Sequence, residues 1–202
     1  MKRFYLSVLF LCSFGSLFAG GPSFAFCDYS QGKVFIQENG EIVWEHKAPD
    51  SNDIWVLPNK NILFTAGKEV LEVSRKNDTI FHYTSESNIF ACQRLKNGNT
   101  FIGECDNGRL LEVSPDGSIV KDVSILPFGV KTGGHAFMRN ARCLDNGHYL
   151  VAHYGGKSVV EYDENGKAVW NIPISGGAHS VIRLPSGNTC LLYTSPSPRD
   201  CS

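Results

Sequence analysis

The sequence predicts an all-β fold, and an internal repeat carries that prediction. Four segments align along the chain, and their anchoring leucines, which are 38, 49 and 40 residues apart, are Leu57, Leu95, Leu144 and Leu184. Each repeat also contains four short apolar or alternating runs bounded by turn residues, whereas no segment has a convincing helical period. Four strands in a unit of about 40 residues are typical of a β-propeller blade.

Turn residues divide each repeat into strands. Asn97-Gly98 and Asn146-Gly147 predict type I′ hairpins, because that turn needs positive φ at both central residues. A second turn follows later in these units at Pro115-Asp116-Gly117 and Asn165-Gly166. Asn39-Gly40 is its counterpart in an earlier, partial unit.

The runs between these turns predict the strands themselves. The middle strands are expected at Ile62–Thr65, Val70–Val73, Phe101–Gly103, Leu110–Val113, Tyr149–Ala152 and Val159–Tyr162. The outer strands are expected around the apolar pairs Val43-Trp44, Ile80-Phe81, Ile119-Val120 and Val169-Trp170.

Three complete blades are predicted, with fragments on both sides. The complete blades cover residues 52–87, 88–135 and 136–177, and Phe24 to Lys47 supplies only three strands. The innermost strand missing from that first unit is expected from a C-terminal part of the protein that this sequence lacks. The predicted ring is therefore an incomplete β-propeller with an unpaired strand edge, which favours aggregation.

The N-terminus is predicted to be a secretory signal peptide, residues 1–19. Lys2 and Arg3 precede the apolar run Phe4–Phe18, and small residues follow at Ala19. An uncleaved anchor is one alternative, although the run is short for a membrane span. A lipid anchor on Cys12 is another alternative, but a lipobox would have a small residue directly before the cysteine, where this sequence has Leu11. We expect a secreted or periplasmic protein without a membrane span after cleavage.

The C-terminal residues 190–202 do not continue the repeat. Cys190 to Asp200 resembles the translation of transposase mosaic-end DNA used as a sequencing adapter. We therefore expect a truncated fragment whose partial propeller covers residues 20–189 and whose tail is an artefact. A genuine Pro/Ser-rich tail is the alternative.

Charge and cysteine content argue against two classes of protein. The formal net charge is −1, and no basic face of the kind that nucleic-acid binders need is evident. The cysteines of the propeller region, which form no CxxC or Cys/His metal spacing, are Cys27, Cys92, Cys105 and Cys143. Export would permit disulfides, but buried thiols are the favoured interpretation, because the repeat aligns Cys92 with Ile54, Ala141 and Val181.

Candidate ligand-binding residues surround the innermost strands, because loops on a rigid scaffold usually carry function. The long connection from Leu126 to Ala136 brings His135 to the start of an innermost strand, and His179 lies similarly before the next innermost strand. Glu104 and His153 are two further candidates, because they end the second strands of their blades at equivalent repeat positions. The candidates are His135, Arg139, Asn140, His153, His179 and Glu104.

These residue types fit a pocket for an anionic or sugar ligand. Arginine binds carboxylate, sulfate or phosphate in a bidentate manner, and histidine can act as acid, base or nucleophile. The alternative is that these groups satisfy loop backbone and line a wet channel. A metal site from the three histidines and Glu104 is a further option, but no contiguous ligand spacing supports it. Trp55 and Phe90 would either stack on sugars or pack in the core.

The repeats resemble the PQQ-like (quinoprotein-type) and NHL-like or kelch-like propellers of exported bacterial proteins. The Leu-Pro-x-Gly-Asn-Thr signature stands at Leu184–Thr189, and the resemblance covers residues 20–189. Asp163–Trp170 is similar to the docking motif of quinoprotein propellers, in which the Trp packs between blades; Asn165 departs from it, because the family favours Thr there. Asn39–Trp44 is a weaker copy. This motif implies blade packing and does not imply bound PQQ.

A third resemblance is to bacterial arylsulfotransferase propellers, which carry a histidine next to similar strands and transfer a sulfuryl group through it. The matching positions here are Gly133-Gly134-His135 and Gly177-Ala178-His179.

The sequence thus predicts an exported propeller scaffold that binds a small-molecule, glycan or protein ligand at its channel mouth, with no nucleic-acid partner. The alternatives are an arylsulfotransferase-like enzyme and a PQQ-dependent dehydrogenase. Catalytic residues and cofactor are left open.

Overall fold

The computed structural model describes residues 21–127, 133–134 and 136–194, and this part of the chain is all-β. It has no helix that could cross a membrane. Its strands form antiparallel sheets in which neighbours in sequence are neighbours in space.

The first sheet, the entry sheet, consists of β1 (Phe24–Asp28), β2 (Lys33–Glu38) and β3 (Glu41–Lys47). Blade 1 consists of β4 (Ile54–Val56), β5 (Ile62–Ala66), β6 (Glu69–Val73) and β7 (Thr79–Thr84). Blade 2 consists of β8 (Ile89–Arg94), β9 (Thr100–Glu104), β10 (Arg109–Val113) and β11 (Ile119–Ser124). Blade 3 consists of β12 (Asn140–Cys143), β13 (Tyr149–His153), β14 (Ser158–Tyr162) and β15 (Ala168–Pro173). The final hairpin consists of β16 (Ala178–Arg183) and β17 (Thr189–Tyr193).

This architecture confirms the predicted propeller with three complete four-stranded blades and an open ring. The entry sheet has three strands, as the sequence predicted. Strand β17 includes Cys190–Tyr193, the first residues of the predicted tail, and pairs with β16. The adapter origin of the tail stays a prediction, and residues 195–202 lie outside the described part of the chain.

The hairpins after the innermost strands use a different turn from the one predicted. Gly98 has φ 89°, but Asn97 does not share the positive φ that a type I′ turn needs. The N–H of Gly98 donates to the carbonyl of Leu95 (3.0 Å), and the N–H of Leu95 donates to that of Asn99 (2.8 Å). This is the pattern of a type I turn followed by a glycine bulge.

Asparagine stabilises these turns through hydrogen bonds of its side chain, and its backbone does not adopt a positive φ. Asn97 Oδ1 accepts from the N–H of Asn99 at 3.0 Å, and Asn146 Oδ1 accepts from the N–H of His148 at 3.0 Å. Such local bonds stabilise turns. The type I′ prediction was therefore wrong at Asn97-Gly98 and Asn146-Gly147. Positive φ at both central residues does occur at Asn39-Gly40, where φ is 53° and 87°, although no turn type was predicted there.

The hydrophobic core lies between consecutive sheets, and the second strands of the blades, β5, β9 and β13, are entirely buried. Trp44 packs between the entry sheet and blade 1, where it is 6% exposed. Trp170 contacts the next sheet through Arg183, whose guanidinium carbon lies 5.4 Å from a Trp170 ring centroid. Both tryptophans thus take part in contacts between sheets.

Charged side chains add a second contact between sheets, which we call the interblade clasp. Arg94 of blade 2 donates to Glu72 of blade 1 at 2.6 Å and lies over the Phe81 ring at 5.1 Å. Arg183 of the final hairpin repeats this arrangement by donating to Glu161 of blade 3 at 2.7 Å. Cys143 takes the arginine position between blades 2 and 3, so this clasp is not repeated there.

Candidate functional site

The connections between consecutive sheets lie at one end of the blades, which we call the loop face. They comprise residues 48–53, 85–88 and 174–177, together with the described parts, 125–127 and 136–139, of the longest connection. The turns after the innermost strands lie at the opposite end, the turn face, because antiparallel strands alternate in direction.

A cavity of about 400 Å³ lies on the loop face. Its volume falls in the range of about 300–1,000 Å³ that is usual for small-molecule sites. Its lining comes from the β1–β2 turn, from three successive connections and from the start of β8, and consists of Tyr29, Asp50, Asn88, Phe90 and Arg139.

Opposite charges and aromatic rings share this cavity. A hydrogen bond to the Asp50 carboxylate raises the pKa of Tyr29, while the nearby positive charge of Arg139 acts in the other direction. The guanidinium carbon of Arg139 lies 4.9 Å from the centroid of the Phe90 ring, a cation–π contact. The arrangement can offer hydrogen-bond donors, acceptors and an exposed phenol ring to one ligand.

A buried ion pair joins the connection before β4 to the innermost strand of blade 3, β12. Arg142 Nη1 and Nη2 donate to the two carboxylate oxygens of Asp53 at 2.7 and 2.9 Å. The same carboxylate accepts the N–H of Cys92 at 3.0 Å. Neither Asp53 nor Arg142 was among the sequence candidates. Asp53 aligns with Asn140 in the repeat, and that shared position was the only signal that could have found it.

Of the described sequence candidates, only Arg139 lines the loop-face cavity. His135 lies outside the described residues. The ligand-binding role of the remaining candidates stays a prediction.

His153 is enclosed at the end of β13, with 6% of its surface exposed. Its Nδ1 lies 2.6 Å from the carbonyl of Phe137, and its Nε2 lies 2.8 Å from the hydroxyl of Tyr162. Because a carbonyl can only accept, Nδ1 carries the proton and Nε2 accepts from the tyrosine. Burial lowers the pKa of His153, although the Phe137 bond opposes the shift. The ring is thus neutral with both nitrogens bonded.

Glu104 is 1% exposed at the end of β9. Its carboxylate accepts from Ser85 Oγ at 2.6 Å, from Arg109 Nη1 at 3.1 Å and from Asn107 Nδ2 at 3.2 Å. The Ser85 bond ties blade 2 to the connection that precedes it, and the other two lie within blade 2.

Asn140 joins blade 3 to the final hairpin. The N–H of Val181 lies 3.4 Å from its amide oxygen. With the amide reversed, the oxygen accepts from Arg142 Nη2 at 3.2 Å and the nitrogen donates to the carbonyl of Val181 at 3.3 Å. Either orientation contacts the next innermost strand.

His179 lies on β16, beside a different cavity. Its ring centroid is 5.0 Å from that of Tyr154 in an edge-on contact. Tyr154 and Gly177 border this cavity, which measures about 360 Å³. The two histidines that the structure describes near the innermost strands therefore have different surroundings, since His179 is partly exposed.

The four cysteines of the propeller region form no disulfide. Burial raises the pKa of each thiol, to about 11 for Cys27. Cys92 is fully buried, which confirms its predicted core position. Protonated thiols are poor nucleophiles and poor metal ligands. Within residues 21–127, 133–134 and 136–194, no group of three or more His, Cys, Asp or Glu is arranged to hold a metal ion.

A cavity of about 610 Å³ lies on the turn face. Trp55, Arg142 and Arg183 contribute to its lining. Both guanidinium groups already pair with carboxylates, Arg142 with Asp53 and Arg183 with Glu161. None of the described sequence candidates lines this cavity, whereas Arg139 lines the loop-face cavity.

No protein-family model and no curated protein matches this sequence. Solved structures do match. A Bacteroides caccae protein of unknown function has 22% identity and a TM-score of 0.73, over 83% of this chain and 63% of its own length. A streptogramin B lyase has 14% identity and a TM-score of 0.65, over 84% and 58%. Virginiamycin B lyase from Staphylococcus aureus has 12% identity and a TM-score of 0.64, over 85% and 59%.

These likenesses show the β-propeller fold alone, because all three identities are low. The chain spans 58–63% of the length of these three solved structures.

Proposed function

We propose that this chain forms part of an exported bacterial β-propeller, related to the PQQ-like and NHL-like propellers, that binds a small saccharide in the loop-face cavity. The observation that carries the proposal is the cavity itself, in which four separate segments bring two aromatic rings, an amide, a carboxylate and a guanidinium to one place. Export is supported by the signal-like N-terminus.

A neutral polyhydroxylated ligand suits this lining better than a purely anionic one. Asp50 and Arg139 contribute opposite charges, so a sulfate or phosphate attracted by Arg139 would also meet the Asp50 carboxylate. Sugar hydroxyls, by contrast, can donate to Asp50 and accept from Arg139 or Asn88. Tyr29 is 62% exposed, so its ring offers a face for the C–H side of a sugar.

The test is a glycan array with the purified chain, followed by calorimetry with the saccharides retained. We expect Arg139→Ala to weaken binding about tenfold or more, or about 1.4 kcal/mol. Lys96→Ala is the matched control, because it removes another cation, one that forms an exposed ion pair with Asp145 on the turn face. Absence of saccharide binding, or equal losses in both variants, would overturn the proposal.

The competing proposal is an arylsulfotransferase-like enzyme. It depends on His135 or His179, because His153 has both ring nitrogens bonded within the protein. Incubation with p-nitrophenyl sulfate followed by mass spectrometry would detect a sulfated histidine. A PQQ-dependent dehydrogenase would instead show a quinone spectrum after reconstitution.

A further inference from the structure

Three walls of the loop-face cavity lead to one junction inside the protein. Moving two or three residues along the chain from Asp50, Phe90 and Arg139 leads to Asp53, Cys92 and Arg142. The first three residues line the cavity. The second three meet at the Asp53 carboxylate, which accepts from Cys92 N and from both Nη atoms of Arg142.

The junction is largely buried, and Arg142 also borders the turn-face cavity. The side chains of Asp53 and Arg142 are 7% and 13% exposed. Two parallel bonds between a guanidinium and a carboxylate fix orientation as well as distance. The guanidinium carbon of Arg142 also lies 5.0 Å from a ring centroid of Trp55, which restricts it from a further side.

The segments on both sides of the ion pair are held as well. Thr65 Oγ1 accepts from the N–H groups of Asn52 and Asp53 at 2.9 and 3.1 Å. The N–H of Arg139 donates to the carbonyl of Ala152 at 2.9 Å. Displacement of the ion pair would therefore move short, constrained segments that end in the cavity lining.

We propose that Asp53 and Arg142 are a positioning pair for the loop-face cavity, setting the distances among Asp50, Phe90 and Arg139. The consequence for saccharide binding rests on the proposed function. The geometric part does not, because it concerns the cavity without ligand.

Tyr29 supplies a readout that needs no ligand, because its phenol senses both Asp50 and Arg139. The experiment compares the full chain with Asp53→Asn/Arg142→Gln, a double variant that leaves no unpaired charge. Tyrosine-labelled protein is titrated by ¹³C NMR, and Tyr29→Phe identifies the Tyr29 signal. We expect the pKa of Tyr29 to fall towards its ordinary value of about 10 in the double variant.

Glu72→Gln/Arg94→Gln is the matched control. It removes another Arg–carboxylate pair of similar burial, one that holds blades 1 and 2 together and does not line the cavity. We expect the wild-type pKa of Tyr29 in this control. If the Asp53/Arg142 double variant does not fold, Arg142→Lys replaces it, because lysine keeps the charge but cannot form two parallel bonds; an intermediate pKa is then expected.

An unchanged Tyr29 pKa in folded positioning-pair variants, or an equal change in the control, would overturn the positioning role. Calorimetry with the saccharides from the glycan array adds the functional arm: we expect at least tenfold weaker binding in the positioning-pair variant and less than twofold weaker binding in the control. A wild-type chain that binds no saccharide, yet shows the Tyr29 shift, would overturn the proposed function and leave the positioning pair supported.

Discussion

Burial divides the polar side chains near the channel into two groups. Glu104 and His153 are enclosed, and their bonds are made inside the protein. Tyr29 and Asp50 keep exposed surface on the loop face. Buried polar groups are costly when unpaired, so the first group contributes mainly to stability, and the second can reach a ligand.

His153 makes stability depend on pH. Burial lowers its pKa in the folded chain below the unfolded value of about 6.5. The unfolded chain then binds more protons, so the free energy of unfolding falls as pH drops below about 6.5 towards the folded pKa. Urea unfolding between pH 8 and 5 measures the effect, and we expect a smaller decrease for His153→Gln.

Some pH dependence will remain in that variant, because partial burial also lowers the pKa of His46. Identical pH profiles for the wild type and His153→Gln would contradict the assignment.

The candidate site was harder to predict from the sequence than the fold. Arg139 was predicted from its place at the start of an innermost strand, and it does line the cavity. Tyr29 and Asp50 carry no repeat signature, because the loops that hold them differ from blade to blade. The Asp53–Arg142 pair joins residues 89 positions apart, and no local pattern reports a contact of that range.

At the scale of elements, the repeat predicted the blades because strand order and turn position are local properties. Leucine spacing and turn residues sufficed to place the strands of all three complete blades. The turn type was not recoverable in the same way. Asn-Gly fits either a type I′ turn or a glycine bulge, and the number of residues between the paired strands decides between them.

The glycine-bulge turns give a prediction for blade 2. Gly98 has φ 89°, and no heavy atom lies within 4 Å of the position that a Cβ would take. A side chain there would therefore strain the backbone without causing a clash. We expect Gly98→Ala to lower the free energy of unfolding by about 1–2 kcal/mol.

Blade 1 provides the reverse substitution. Lys60 holds the corresponding turn position with φ 69°, so Lys60→Gly is expected to stabilise the chain by up to about 1 kcal/mol, less the flexibility that glycine adds to the unfolded state. Urea unfolding measures both variants, and changes of the same sign would contradict the explanation.

At the scale of the whole molecule, the open ring leaves a strand edge at the entry sheet. Strand β1 pairs with β2 alone within the described chain, and its Phe24 and Phe26 are 49% and 37% exposed. Unpaired edges with exposed apolar side chains favour association. We expect concentration-dependent self-association in sedimentation velocity, and less of it in Phe24→Lys/Phe26→Lys.

Ile80→Lys is the control for this prediction. Ile80 is 57% exposed on the outer strand of blade 1, away from the entry-sheet edge. An equal reduction in association would mean that general surface hydrophobicity, and not the β1 edge, drives it.

The ion pair between Asp53 and Arg142 is also expected to form at a particular stage of folding. Each blade closes through hairpins between consecutive strands, whereas this pair must close a loop of 89 residues, and the entropy lost in closing a loop grows with its length. Blade 2 lies between the partners in sequence and supplies Cys92 to the same carboxylate. The pair should therefore form late, after three blades have docked, and an intermediate with formed blades would still lack the cavity's final geometry.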